Sequence, residues 1–300
     1  MGVSLTLKSK ADVTLGMQHG PLSGRVCMVT GANSGIGKAT AEKLASLGAS
    51  VVLVCRNRSR GEAAMAEIRE RTSNSSLELL IADFASFQSI RDMAMAFAGS
   101  HDFLHVLVNN VGVAKLTRSV TTDGLETTFE VDYLSQFLLT NLLLGVLKKS
   151  APSRVVMVSS VSHYGGHIDF DDLQMEKGYR VMKAYGRAKL AQVLFTHELA
   201  KRLEGTGVTA NCLHPGAVAT NIWGRPLGPL SFLAKVNRFF LLSPEKGADT
   251  SVFLASSPDV AGISGKYFDK RREKRSSAES YDEALAQKLW DVSAKLVGLT

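Results

Sequence analysis

A phenol becomes a useful proton donor when a nearby cation brings its pKa towards neutrality. A lysine four residues further along a helix can do this, because the two side chains share one face. The chain carries that spacing twice, at Tyr179/Lys183 and at Tyr185/Lys189, so at least one copy is incidental. The second opens the apolar helical run Leu190-Ala191-Gln192-Val193-Leu194-Phe195, whereas the first follows an irregular stretch after Asp171-Asp172-Leu173. Ser160 has no Gly-x-Ser-x-Gly elbow around it, so acyl transfer is not indicated. His163 and His167 stand in a glycine-rich loop, and Cys27, Cys55 and Cys212 are widely spaced in apolar runs. Neither a metal site nor a disulfide framework is expected, and a reducing compartment fits the cysteines.

A second chemical feature lies near the N-terminus, where Thr30-Gly31-Ala32-Asn33-Ser34-Gly35-Ile36-Gly37 joins a β-branched run to a helical segment. Glycines there let the backbone turn tightly and approach a pyrophosphate, while the helix start offers unpaired N–H groups and a partial positive charge. The next strand ends Val54-Cys55-Arg56-Asn57-Arg58, with no acid to bind a ribose hydroxyl. Arg56, helped by Asn33, Arg58 or Lys38, can instead pair a 2′-phosphate. The cofactor implied is therefore NADP(H) rather than NAD.

These residues need a scaffold, and the apolar pattern supplies one. Seven strands are expected at 25–30, 50–55, 77–82, 104–109, 154–159, 208–213 and 265–268, alternating with helices. That is the signature of an α/β single domain with a doubly wound, seven-stranded parallel sheet of the Rossmann type. Asp123 with Glu126 resembles a capped start for a long helix ending near Lys149, and 184–203 and 281–296 read as further helices. The organisation is an N-terminal arm at 1–22, a nucleotide-binding domain at 23–269 with a substrate lid near 217–242, and a basic loop and C-terminal helix at 270–300. The lid is rich in large apolar groups (Ile222, Trp223, Leu227, Leu230, Phe232, Leu233, Phe239 and Phe240), which points to a lipophilic substrate.

With 300 residues, 45% hydrophobic and 21% charged, the chain can bury a sizeable core, which excludes disordered and fibrous classes. Much of the net charge of +7 comes from Lys270-Arg271-Arg272-Glu273-Lys274-Arg275, which lacks interleaved aromatics, so nucleic acid is not an expected partner. No run reaches the roughly 18 apolar residues of a membrane span, and 1–20 lacks a signal-peptide core. A cytoplasmic protein is expected. Met1-Gly2-Val3-Ser4-Leu5-Thr6 fits the N-myristoylation pattern, which leaves room for peripheral membrane contact.

Taken with these features, Asp83 after the third strand, Asn109-Asn110-Val111-Gly112 and Pro215-Gly216-Ala217-Val218-Ala219-Thr220 make the sequence resemble the short-chain dehydrogenase/reductase family from about Gly24 to Phe268. Cys55-Arg56, Ser159-Ser160 with His163, the insertion through Asp171-Asp172-Leu173-Gln174, and Tyr185 lying 25 residues after Ser160 resemble its retinol-dehydrogenase-like branch. The resemblance implies that Tyr185 rather than Tyr179 is the proton donor, that Lys189 holds the nicotinamide ribose and lowers the tyrosine pKa, and that Ser160, less plausibly Ser159, polarises a carbonyl. It also implies cofactor contacts from Gly31, Asn33, Ser34, Gly35, Ile36, Gly37, Arg56, Asp83, Phe84, Asn109, Asn110, Val111, Gly112, Tyr185, Lys189, Pro215, Gly216, Val218 and Thr220.

The activity so implied is NADP-dependent interconversion of a lipophilic aldehyde or ketone and its alcohol, with reduction favoured where NADPH is kept high. Two positions depart from the family pattern. Val111 replaces an alanine, and Asp132 stands where the family carries an asparagine in its catalytic set. Asp132 is the one feature that supports an alternative, an NADP-binding regulatory or scaffold protein without turnover. A homodimer is the default assembly, since the long helices pair subunits in many relatives.

Overall fold

A computed structural model describes residues 20–217 and 242–299. The N-terminal arm up to residue 19, including the myristoylation pattern, and all of the lid apart from its end residues, with Val218 and Thr220, lie outside the described residues. The chain runs β1 (Val26–Thr30), α1 (Gly35–Ser46), β2 (Ser50–Cys55), α2 (Arg58–Thr72), β3 (Leu77–Ile81), α3 (Phe87–Ser100) and β4 (Val106–Asn109). A short α4 (Thr127–Phe129) continues through a π-helical segment (Glu130–Leu134) into α5 (Ser135–Lys149). Then follow β5 (Ser153–Val158), α6 (Val181–Arg202), β6 (Val208–His214), α7 (Pro244–Ser256), β7 (Lys266–Asp269), β8 (Arg272–Lys274) and α8 (Glu283–Leu296).

The strand order is β3-β2-β1-β4-β5-β6-β7-β8. The first seven strands are parallel, as expected for a doubly wound sheet, and their inner members are apolar because helices cover both faces. An eighth strand was not foreseen. Part of the basic run, read as a loop, folds back antiparallel on β7, where Lys274 meets Asp269 at 2.8 Å and Lys266 meets Glu273 at 3.2 Å. Its three residues remain exposed, so the run still faces water.

One apolar layer packs α3, α5, α6 and α8 on the sheet, and the other packs α1, α2 and α7. In the first layer Trp290 of α8 lies 5.0 Å from the Phe137 ring and 5.5 Å from the Phe195 ring, and the Tyr133 and Ser293 hydroxyls bond at 2.7 Å. That coverage takes up part of the apolar face of α5 and α6. Among the described residues no helix is long and apolar enough to cross a membrane.

The helix start before α5 differs from the expected box. Glu126 itself is the cap, its carboxylate accepting from the N–H groups of Thr128 and Phe129 at 2.8 Å each. Asp123 instead accepts from Phe87 N at the start of α3, at 2.7 Å. The three-residue spacing does mark a helix entry, but the tertiary approach of α3 claims Asp123, so the cap falls to Glu126.

Candidate active site

Strand order reverses between β1 and β4, so the loops leaving their C-terminal ends diverge and open a cleft. The cleft has a volume of about 790 Å³, within the range of small-molecule sites. A smaller hollow of about 310 Å³ at the opposite end of the strands, beside Val26, Ser50 and His101, brings none of the candidate residues together.

The glycine turn forms the floor of one end. Gly31 has φ +68°, and a side chain at Gly37 would put its Cβ 2.4 Å from Asn110 Nδ2 and from Gly31 O. Asn110 fastens the turn to the β4 loop by donating from Nδ2 to Thr30 O at 2.8 Å. Ser34 occupies the N-cap of α1 but makes no side-chain cap bond, so the helix start is left open to an external acceptor. These observations fit a pyrophosphate-bearing dinucleotide: the backbone cradle would be filled by a single Cβ, and its donors have no local side-chain partner.

Asn33, Ser34, Gly35, Ile36, Arg56, Asp83, Phe84, Asn110, Val111, Gly112, Pro215 and Gly216 all line the cleft. Arg60 lines it too, beside Asn57, whose side chain caps α2 by accepting from Arg60 N at 2.9 Å. Arg60 was missed as a candidate, although its place in the first turn after Arg56 could have flagged it. Two of the proposed helpers are committed elsewhere: Lys38 pairs with Glu67, and Arg58 faces Glu62 at 3.9 Å. Asn109 is also not on the cleft wall. It is fully buried and donates to Thr140 Oγ1 at 2.9 Å, tying β4 to α5.

At the inner end of the cleft, Ser160 follows β5 and Tyr185 and Lys189 descend from α6. The Ser160 hydroxyl accepts from Ser162 N at 3.2 Å and hydrogen-bonds Tyr185. Ser159 donates its hydroxyl to Lys189 O at 2.9 Å, a structural commitment that separates it from its neighbour. Lys189 Nζ stands 5.2 Å from the centre of the Tyr185 ring and 3.2 Å from Asp132 Oδ2, and both members of that ion pair are buried. The other copy of the spacing is not reproduced in space. Tyr179 precedes α6, its hydroxyl donates to Lys115 O at 2.8 Å, and Lys183 is exposed.

Asp132 lies within the π-helical segment, an irregularity frequent at functional sites. Its Oδ1 accepts from Val113 N at 2.7 Å, and its backbone carbonyl is capped by Gln192 Nε2 at 2.6 Å. Gln192 also donates to Gln136 Oε1 at 3.0 Å, and Gln136 donates to Val111 O at 2.5 Å. This buried amide pair therefore holds Asp132 and the cofactor-side loop together. Neither glutamine carried a sequence signal, because a glutamine in a helix is ordinary until its partners are known.

Burial pushes the Asp132 carboxyl up to about 6, although the Lys189 ammonium pulls the other way. Burial also works against the Lys189 ammonium, but the Asp132 and Tyr185 charges outweigh it and hold the lysine above its ordinary value. The Tyr185 phenol is raised by burial, lowered by Lys189, raised again by Asp132 and lowered by its bond from Ser160, with a net rise. Two residues before Asp132, buried Glu130 is pushed up to about 8 by desolvation, against a bond from Thr121 and with Asp123 adding to the rise. Among the described residues there is no cluster of His, Cys, Asp and Glu able to hold a metal ion.

Residues 25–226 match the family model described as short chain dehydrogenase. The chain is 44% identical over 301 residues to retinol dehydrogenase 14 of Homo sapiens, covering 95% of this chain and 89% of that protein. It is 46% identical over 278 residues to retinol dehydrogenase 12 of Mus musculus, covering 93% and 88%. Among solved structures, a Mycobacterium Paratuberculosis protein matches with a TM-score of 0.74 at 31% identity, over 92% of this chain and 94% of that one. The Pseudomonas aeruginosa RhlG/NADP active-site complex matches with a TM-score of 0.66 at 25% identity, over 82% and 94%.

Proposed function

The chain belongs to the short-chain dehydrogenase family, and from that premise we propose that it is an NADP-dependent enzyme interconverting a lipophilic, retinoid-like aldehyde or ketone and its alcohol. The observation that carries this reading is the convergence of Ser160, Tyr185 and Lys189 on the cleft that also contains the glycine turn. NADP over NAD rests on Arg56 and Arg60 at the end of β2 and the start of α2, with no acid in the second-strand turn. The similar RhlG structure is an NADP complex, which agrees with that preference. A lipophilic substrate is supported by the retinol dehydrogenase relatives and by the described cleft wall, where Val161 is 52% exposed.

The bound dinucleotide supplies or accepts a hydride at the substrate carbon. In reduction, the Ser160 hydroxyl donates to the carbonyl oxygen and polarises it. Tyr185 gives its phenolic proton to that oxygen as negative charge develops there. Lys189 holds a positive charge beside the phenol, so the phenolate left behind is stabilised. Asp132 keeps the lysine charged and oriented, and Gln192 and Gln136 keep Asp132 against it. Against a chain without turnover, the acid in the asparagine position pairs with the lysine at 3.2 Å and leaves it beside the tyrosine, which supports the catalytic reading.

The test is consumption of NADPH with a panel of long-chain, retinoid-like and short polar carbonyls, repeated with NADH. Turnover of the lipophilic members with a clear NADPH preference, reversed or abolished in Arg56→Asp, is the expected result. Equal use of both cofactors, or equal efficiency with short polar aldehydes, overturns the corresponding part of the proposal.

A further inference from the structure

Beyond the residues that face the cleft, the stretch after Ser160 is fastened from behind by the segment that follows β8. Tyr164 donates its hydroxyl to Arg275 O at 2.6 Å. Glu279 takes His167 Nδ1 at 3.0 Å and Ile168 N at 3.0 Å. His163 is the buried member of this set, with no exposed surface. Its Nδ1 lies 2.6 Å from Ser160 O, and its Nε2 lies 3.2 Å from Ser277 N. The ring is wedged against Tyr164, 4.1 Å away, and Tyr267 of β7, 4.7 Å away.

The two nitrogens face opposite requirements. A backbone carbonyl can only accept, so Nδ1 must carry a proton; a backbone N–H can only donate, so Nε2 must offer its lone pair. Only the neutral imidazole with its proton on Nδ1 meets both. A second proton on Nε2 would point at the Ser277 N–H and break that bond.

We propose that His163 is a positioning residue: as the neutral Nδ1–H tautomer it holds the Ser160 carbonyl from the side of the C-terminal segment, and turnover depends on that Nδ1–H bond. This deepens the reductase reading and rests on it for its kinetic consequence. The groups around the ring agree with a neutral form. Besides the two tyrosines, His197 of α6 and His214 at the end of β6 act on it, and a charge on either would oppose a charge on His163. Glu279, the acid of the same segment, is turned to His167 and Ile168. Burial together with these neighbours holds the imidazole below the ordinary histidine range, against the Ser160 carbonyl, which favours the protonated form.

Two amide substitutions separate the two bonds. An asparagine amide can take the place of Nδ1 and still donate to Ser160 O, whereas a glutamine amide reaches the place of Nε2 and serves Ser277 alone. His163→Asn keeps the bond to Ser160 and is expected to hold kcat within about threefold. His163→Gln is expected to lower kcat by about 10- to 100-fold with little change in the KM for NADPH, because a misplaced polarising group costs rate rather than cofactor binding.

Imidazole ¹⁵N NMR of the full chain reads the tautomer without any turnover. A neutral Nδ1–H form, protonated only below the usual histidine range, supports the proposal. An Nε2–H form, ordinary titration, or equal kcat losses in the Asn and Gln variants overturns it. A chain that turns over no carbonyl but gives the Nδ1–H spectrum fails the reductase reading alone.

Discussion

The two Tyr-x-x-x-Lys copies are six residues apart and identical in spacing, yet they sit in unlike surroundings. Tyr185 and Lys189 lie within α6, buried, with the ammonium 5.2 Å from the ring centre and a carboxylate behind it. Tyr179 lies before the helix begins, so four residues of sequence do not bring Lys183 onto its face, and its hydroxyl is spent on a backbone carbonyl. The difference shows that a spacing carries chemistry only where the backbone is helical and water is excluded. A second contrast lies within the π-helical segment. Glu130 and Asp132 are both buried acids, but only Asp132 has a cation within ion-pair distance, and Glu130 is held far higher in pKa.

The sharpest way to break the first comparison is to remove each phenol. Tyr185→Phe is expected to lower kcat by about 10² to 10⁴-fold with NADPH binding, read by fluorescence titration, nearly intact. Tyr179→Phe loses the hydroxyl's bonds to Lys115 O and Thr128 at a partly buried site away from Lys189 and should change kcat by less than about threefold. Comparable losses in the two variants would erase the distinction.

A smaller effect is expected from the acid behind the lysine. Asp132 raises the Tyr185 phenol, and reduction requires that phenol protonated. In Asp132→Asn the phenol loses its proton at lower pH, so the alkaline limb of kcat for reduction moves downward. Superimposed pH profiles for parent and variant would mean that the carboxylate does not act on the tyrosine.

The smallest effect concerns stability. Glu130 has a folded pKa of about 8 against an unfolded value of 4.5, so the folded state binds its proton more tightly. Its contribution is fully present below the unfolded value and is lost as pH rises towards 8 and beyond. The parent Tm should therefore decline across that window. Glu130→Gln, neutral throughout, should show a flatter profile and a Tm higher by about 4 °C above pH 8. A parallel decline in both proteins would remove Glu130 as its source.

Much of the scaffold was legible because its signals are local. Continuous β-branched runs separated by helical lengths can bury both faces only in a parallel sheet, and the seven expected strands fall within one or two residues of those observed. The glycine turn was legible for the same reason: Gly31 and Gly37 answer backbone constraints within a single βα junction. Strand β8 was hidden, since a charged run has no apolar pattern and pairs only because β7 offers it an open edge.

The site divides along the same line. Sequence alone determined the glycine cradle, the arginine at the end of the second strand, and a buried helix bearing Tyr185 and Lys189, because each depends on neighbours in the chain. Tertiary structure decided what each polar group is spent on. It sent Asn109 to Thr140, Lys38 to Glu67 and Asp123 to the start of α3, and it brought Asp132 to Lys189 and His163 to Ser277. Those partners lie between 29 and 114 residues apart in the chain. Hydrogen bonds and ion pairs act over a few ångströms in space, so their pairing follows from packing rather than from spacing along the chain.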